Sequence, residues 1–283
     1  MLMVLVAAIS YGAITPIVKM ASLRDIPISW LTIAQYPLPI TFFLVMTGIV
    51  SRRHRLTLEK PGLILFIGLA AAVTGLTYYR SIALLSPGFA ILLLFQFAWQ
   101  APLLEWVFYG KKPSRFQWLG IAIILGGTLL AVPLGPHRWS VVGILWGVLA
   151  GLGYALTLVW SSRFSATDTP WPRAFVSTTL GGLIVVTVYH VWSLANPPHR
   201  VWVWGALVGL FSQAIPLWLI YRNAPQLGGG STAIVAAAEL PVAIILSRIL
   251  VGQHTFMVQW LGIFLILGGI LLGSLSKPPA NFD

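Results

Sequence analysis

Gln117-Trp118-Leu119-Gly120-Ile121, followed by Gly126-Gly127, recurs as Gln259-Trp260-Leu261-Gly262-Ile263, followed by Gly268-Gly269, a displacement of 142 positions. Tyr79-Arg80 meets Tyr221-Arg222 at the same displacement, Tyr11 meets Tyr154 at 143, and Pro102 meets Pro241 at 139. Changes in loop length produce a drift of that size. The chain therefore reads as two copies of one unit, residues 1–136 and 137–283.

Composition says what the unit is made of. Hydrophobic residues make up 58% of the 283 and charged residues only 8%, with mean hydropathy +0.90, whereas soluble domains carry about 25% charge. This is the composition of an all-α integral membrane protein. Breaking the sequence at charged or Pro/Gly-rich gaps leaves ten apolar runs near the roughly 20 residues needed to cross a bilayer. They are 1–21, 28–50, 62–84, 87–109, 115–133, 140–161, 171–194, 201–222, 229–251 and 256–275. The first reads as a retained span, because Tyr11, Pro16 and Lys19 interrupt it and no small-residue cleavage site follows.

Formal charge is +11, and cysteine is absent. The bases sit in short gaps between apolar runs rather than on a soluble face, so topology accounts for them and nucleic acid is not an expected partner. Arg52, Arg53, Arg55 and Lys60 follow run two, and Lys111, Lys112 and Arg115 follow run four. Positive charge stays in the cytoplasm, which puts these clusters inside with Arg163, Arg173, Arg222 and Lys277. Lys19, Arg24, Arg80, Arg138 and Arg200 fall outside, and both termini are cytoplasmic. Five runs per copy is an odd number, so the second copy enters from the opposite side. That parity is an inverted repeat, which places a substrate site near the midplane between halves.

Polar groups inside the runs mark candidate lining residues, since lipid offers an amide or a carboxyl no partner. In Ser86 to Glu105, helical spacing puts Gln96, Trp99 and Gln100 on one stripe. Glu239 lies at the centre of run nine, and the Pro102–Pro241 pairing sets it opposite Gln100. Charge at such depth costs roughly 2.5–3.5 kcal/mol on insertion scales. Tyr78 and Tyr79 close run three, Tyr11 and Tyr154 recur at central height, and Gln213 with Pro216 occupies run eight. Each has a plain alternative: amides tied to neighbouring helices, a protonated acid bonded internally, or rings that fill space. Pro16, Pro37, Pro39, Pro102 and Pro241 read as kinks, Glu105 as a structural partner of Lys111 and Lys112, and the paired glycines as helix-packing sites.

Chemistry-bearing patterns are otherwise weak. His54, His137, His190, His199 and His254 have no metal-ligand spacing, and Gly228-Gly229-Gly230 lacks the lysine of a phosphate loop. Neither an enzyme nor a cofactor or metal is expected, and transport would draw on a gradient rather than ATP.

Two five-helix halves, each with a Pro-containing run followed by a Gly-rich Gln-Trp-Leu-Gly run, resemble the EamA-type exporters of the drug/metabolite transporter superfamily. Pro102 with Gly110, Pro241 with Gly252, and Gly120, Gly126, Gly127, Gly262, Gly268 and Gly269 match that pattern. Gly110-Lys111 and Gly252-Gln253 depart from its usual Gly-Glu, which removes any role those acids carry. The aromatic-rich centre is most similar to YddG-type aromatic amino-acid exporters of bacterial inner membranes. The resemblance implies export of aromatic, and by extension other neutral, amino acids by alternating access. Tyr11, Tyr78, Tyr79, Gln96, Trp99, Gln100, Tyr154, Gln213 and Glu239 would then line the path, with Glu239 either binding a substrate ammonium or coupling protons. A multidrug or quaternary-cation exporter is the competing reading, and a membrane-embedded lipid enzyme a more distant one. Membrane lipids are the surrounding partner; monomer and dimer are both open.

Overall fold

A computed structural model describes residues 1–52, 60–132, 140–165, 168–189 and 197–275. The boundary between halves at 136/137, the bases Arg53, Arg55, Arg138 and Lys277, and His54, His137 and His190 lie outside the described residues. Within them every regular element is helical. Nine helical stretches are long and apolar enough to cross a membrane: Leu2–Ser22, Ile28–Ser51, Pro61–Leu84, Pro87–Tyr109, Val141–Ser161, Trp171–Val188, Val201–Leu227, Gly229–Val251 and Met257–Ser274. The fifth run of the sequence is a shorter apolar helix, Arg115–Ala131.

Several spans are built from two pieces. The first comprises α1 (Leu2–Gly12) and α2 (Ile14–Ser22), and the second α3 (Ile28–Ala34) and α4 (Pro37–Ser51). The third is one helix, α5 (Pro61–Leu84); the fourth comprises α6 (Pro87–Leu94) and α7 (Phe97–Tyr109). Then follow α8 (Arg115–Ala131), α9 (Val141–Ser161) and α10 (Trp171–Val188). The stretch Val201–Leu227 holds α11 (Val201–Gly209), a π-helical segment Leu210–Ala214 and α12 (Ile215–Leu227), and α13 (Gly229–Ala236), α14 (Glu239–Val251) and α15 (Met257–Ser274) follow.

Proline causes most of these interruptions, because it removes the N–H that the carbonyl four residues back needs. Pro16 leaves Gly12, Pro39 leaves Gln35 and Pro241 leaves Ala237, and each of those residues stands at an interruption. Pro216 donates neither to Ser212 in α-helical register nor to Phe211 in π register. The Ser10 hydroxyl donates to the freed Phe211 carbonyl at 2.8 Å. Pro225 likewise frees the Tyr221 carbonyl, and Arg173 Nη2 donates to it at 3.3 Å.

The repeated motif has a specific job in each copy. Gln117 Oε1 accepts from the Ser114 backbone N–H at 2.9 Å, and Gln259 Oε1 accepts from the Phe256 N–H at 3.0 Å. Each glutamine caps the start of its own helix. The glycines then let α8 and α15 touch backbone to backbone in antiparallel register. A Cβ on Gly120 would stand 2.6 Å from the Gly269 carbonyl, and one on Gly269 would stand 2.7 Å from that of Gly120. Gly127 and Gly262 face each other in the same reciprocal way, at 2.8 and 2.6 Å. Gly126 and Gly268, expected to share in this packing, face open space instead. Gln259 Nε2 closes the seam on the Ala131 carbonyl at 2.9 Å.

A second glycine row, Gly143, Gly147 and Gly151 on α9, is spaced by four and went unused in the sequence reading. It admits Leu85, Leu93 and the Leu94 carbonyl at under 3 Å from each missing Cβ.

Gly262→Leu should therefore lower stability in detergent by about 1–3 kcal/mol, the usual cost of overpacking, while Gly268→Leu should change it by less than about 0.5 kcal/mol. Thermal unfolding of the two purified variants checks this; equal losses would remove the seam from the account.

Candidate substrate site

Spans four and nine are broken at equivalent points. α6 and α13 have eight residues each and α7 and α14 thirteen. The interruptions fall at Phe95-Gln96 and at Ala237-Ala238, and both α7 and α14 end on a left-handed glycine, Gly110 at φ 68 and Gly252 at φ 70. All three features are displaced by 142 residues. This register corrects the one drawn from the prolines: the mate of Glu239 is Phe97, the first residue of α7, and not Gln100. Proline position misleads because each kink forms at its own distance upstream, at Ala237 for Pro241 but seven residues ahead for Pro102.

Glu239 opens α14 in the middle of its span. Gly12 of α1 backs onto this turn, since a Cβ there would lie 2.8 Å from the Glu239 carbonyl. Tyr11 beside it, Tyr78 of α5 and Tyr154 of α9 all lie within electrostatic reach of the Glu239 carboxyl. Glu239, Tyr11 and Tyr78 each keep part of their surface accessible.

Aromatic rings continue from there. Tyr154 meets Tyr11 edge-on at 6.1 Å between centroids and Phe97 at 4.6 Å, and Phe97 tilts against Phe95 at 5.3 Å. The Tyr154 hydroxyl is buried without a hydrogen-bond partner among the described residues. Glu239, Tyr11, Tyr78 and Tyr154, four of the residues singled out in sequence, are thus brought together from four spans.

The other five are placed elsewhere. Gln96 and Trp99 pair with each other, the indole N–H donating to Gln96 Oε1 at 2.8 Å, while Gln96 Nε2 donates to the Leu92 carbonyl at 3.1 Å. Gln100 is 5% exposed, and its Oε1 lies 3.0 Å from the position of a Cβ on Gly151, beside the Leu94 carbonyl. Tyr79 tilts on Tyr78 at 6.3 Å but turns toward Thr32, Tyr36 and Tyr189. Gln213 lies in the π-helical segment, where Ser212 makes the recorded bond, donating to Gln35 Oε1 at 3.2 Å. A cavity of about 370 Å³ lies apart from Glu239, lined by Leu38, Phe42, Trp171, Ala214 and Trp218, with Trp171 stacked on Trp218 at 5.4 Å. Its walls carry no acid, and its rim residues Leu38 and Phe42 are exposed.

The family model of the EamA-like transporters matches residues 1–132 and again residues 141–275. The chain belongs to the EamA-like transporter family. An uncharacterised transporter of Synechocystis is 26% identical over 208 residues, covering 70% of this chain and 62% of the relative. The uncharacterised inner membrane transporter YicL of Salmonella typhimurium is 26% identical over 230 residues, covering 77% and 74%. An uncharacterised transporter of Archaeoglobus fulgidus is matched over 56% of its length, so the match spans less than two thirds of two of these relatives. A solved crystal structure superposes with TM-score 0.78 over 97% of this chain and 99% of the other at 15% identity, a likeness of fold alone.

In this EamA-like chain, two charged residues hold the ends of the spans and were only half legible. Glu105, 5% exposed, pairs with Lys111 at 2.9 Å, as its position suggested. It also accepts from the Gly229 and Gly230 amides at 3.2 and 2.9 Å, capping α13 in the other half. Gly228 enters that helix at φ 85, where a Cβ would sit 2.5 Å from Lys111 Nζ. Lys112 instead lies over the Trp106 ring at 5.9 Å. Arg173 was read as a loop base, yet it is 3% exposed, lies 3.6 Å from Asp168 and sits over Phe164 at 4.3 Å. Pro225, four residues after the Tyr221 carbonyl it bonds, was the available signal.

Glu105→Ala should cost about 3–5 kcal/mol, because it strands a lysine and two helix-start amides, whereas Glu105→Gln keeps an acceptor and should cost less. Guanidinium or heat titration of the purified variants measures the order; Ala and Gln behaving alike would sink it.

Proposed function

We propose that this EamA-like transporter is a gradient-driven exporter of aromatic and other neutral amino acids across the bacterial inner membrane, working by alternating access between two inverted five-helix halves. The observation that carries the reading is the mid-span meeting of Glu239 with Tyr11, Tyr78 and Tyr154. An acid for an ammonium and rings for a planar side chain stand together where a path between halves would run. Tyr79, Gln96, Trp99, Gln100 and Gln213 belong to the proposed lining as well, although they do not join this group.

Several observations support the inverted arrangement. The helix breaks, the left-handed glycines and the motif glutamines share one displacement, and α8 and α15, equivalent in the two copies, run antiparallel. Counting Arg115–Ala131 as the tenth span is consistent with its length, since 17 residues rise about 26 Å at 1.5 Å each. Cytoplasmic termini fit the bases gathered on the face that carries Met1. Met1 adjoins Ser274 and Leu227 there, and Lys60 donates to the Arg163 carbonyl while Arg163 covers Tyr109. The inner-membrane location follows the name of the Salmonella relative.

One observation favours the competing substrate class, an organic cation: neither ion pair among the described residues involves Glu239. Proteoliposomes given radiolabelled phenylalanine or methyl viologen separate the two. Phenylalanine uptake should fall at least tenfold in Glu239→Gln and more mildly in Trp99→Ala, at equal reconstitution. Uptake of methyl viologen alone would replace the amino-acid reading, and unchanged uptake in Glu239→Gln would displace that residue from the path.

A further inference from the structure

We infer that the cavity between α4, α10 and the stretch Val201–Leu227 is a phospholipid site, in which one acyl chain lies against the π-helical segment and the phosphate meets Arg222. The site is separate from the Glu239 centre and does not depend on the transport reading.

The cavity exists because the two copies differ by one residue. In the first copy Gly68 of α5 lies against α10, where a Cβ would stand 3.0 Å from the Ser177 carbonyl and 3.1 Å from the Leu180 side chain. In the second, Gly209 lies against the Gln35 carbonyl, and Gln35 precedes Ser177 by the 142 positions of the repeat. From this glycine to the repeated tyrosine is 11 positions in one copy, Gly68 to Tyr79, and 12 in the other, Gly209 to Tyr221. A π-helical turn bonds i to i+5 and so holds one residue more than an α-helical turn. Leu210–Ala214 is the turn that absorbs the extra residue, and Leu210 and Ala214 both border the cavity. Leu180 packs against the position of Gly68, whereas its counterpart Leu38 edges an open space of about 370 Å³.

The walls select hydrocarbon. Every lining side chain is apolar, and water needs two to four polar partners to stay in a cavity. Left empty, the walls would forfeit their dispersion contacts. The mouth opens at Leu38 and Phe42, which are exposed, as are Val45 and Ile49 on the same face of α4. All four belong to the apolar stretch Ile28–Ser51, so the mouth is continuous with the lipid-facing surface.

Length and charge select a phospholipid. The cavity runs beside the chain from Leu210 to Leu219, about 13 Å at 1.5 Å per residue. One leaflet contributes roughly 15 Å to the hydrocarbon core, so an acyl chain lying parallel to the helices fits. Trp171 and Trp218, stacked at 5.4 Å, wall one end. Arg222 follows Trp218 by four residues, one turn further along the same face of α12. It is exposed, and neither ion pair among the described residues involves it. A guanidinium there offers a phosphate a bidentate partner. Arg80, its counterpart in the first copy, is exposed as well, but Gly68 and Leu180 meet where its slot would be.

Native mass spectrometry of the purified full-length protein, released from detergent micelles containing phosphatidylglycerol, tests this. One phospholipid should remain bound per chain. Leu38→Trp, which sets a ring across the exposed mouth, and Arg222→Ala, which removes a charge-assisted bond, should each lower that occupancy about tenfold. Arg80→Ala should leave it unchanged. Added phosphatidylglycerol should raise the melting temperature of the delipidated wild type and leave that of Leu38→Trp where it is. If Arg80→Ala loses the lipid as readily as Arg222→Ala, surface charge alone holds it and the inference is wrong. Retention of the lipid in Leu38→Trp would take the slot out of the account and overturn it equally. A lipid-free dimer would put a second copy of the chain on this face in place of the phospholipid.

Discussion

Hydrocarbon cannot hydrogen-bond, so each backbone group released from a helix ladder needs a partner inside the protein. Nineteen prolines in a mostly membrane-embedded chain make this the governing constraint. Where proline opens the backbone, a side chain from another span answers: Ser10 for Phe211 and Arg173 for Tyr221. Helix starts are treated alike, with Ser86 capping α6 within its own span and Glu105 capping α13 from the other half. The bonds to Phe211 and Tyr221 each stitch two spans together.

Small residues let those stitches be made. A carbonyl can be reached only if backbones approach, and apolar association in lipid rests on packing rather than on the hydrophobic effect. The reciprocal glycines of α8 and α15 and the spaced row on α9 provide that approach. Gly209 goes further, with the Gln35 carbonyl against the place of its missing Cβ, so the helix of Gly209 lies directly on the break between α3 and α4. Packing and helix interruption are one device here.

Against this background the centre is unusual. Gln96 finds its partner in Trp99, whereas Glu239 lies within electrostatic reach of three phenols and the Tyr154 hydroxyl is among the buried polar atoms left without a partner among the described residues. The halves spend their equivalent positions differently, an apolar ring in one and an acid in the other. An asymmetric substrate needs that difference, and a symmetric repeat alone would not provide it.

Sequence alone determined the helical membrane class and the approximate spans, and it proposed a two-copy organisation and the residues of interest, because apolar length, charge placement and motif spacing are local properties. It also marked Glu239 and the tyrosines, since a polar group in an apolar run stands out whatever surrounds it. Tertiary structure decided which of them meet. Gln100 looked like the counterpart of Glu239 because the two prolines were paired at 139 residues rather than at the 142 of the repeated motifs, and a proline kink forms at a distance that neighbouring helices set. Arg173 and Glu105 looked like ordinary loop and end charges, for burial and the amides they serve come from other spans. The 142-residue displacement of the repeated motifs already pairs Phe97 with Glu239, but only the folded chain decided for that register over the proline one, because where a helix breaks is set by the helices packed against it.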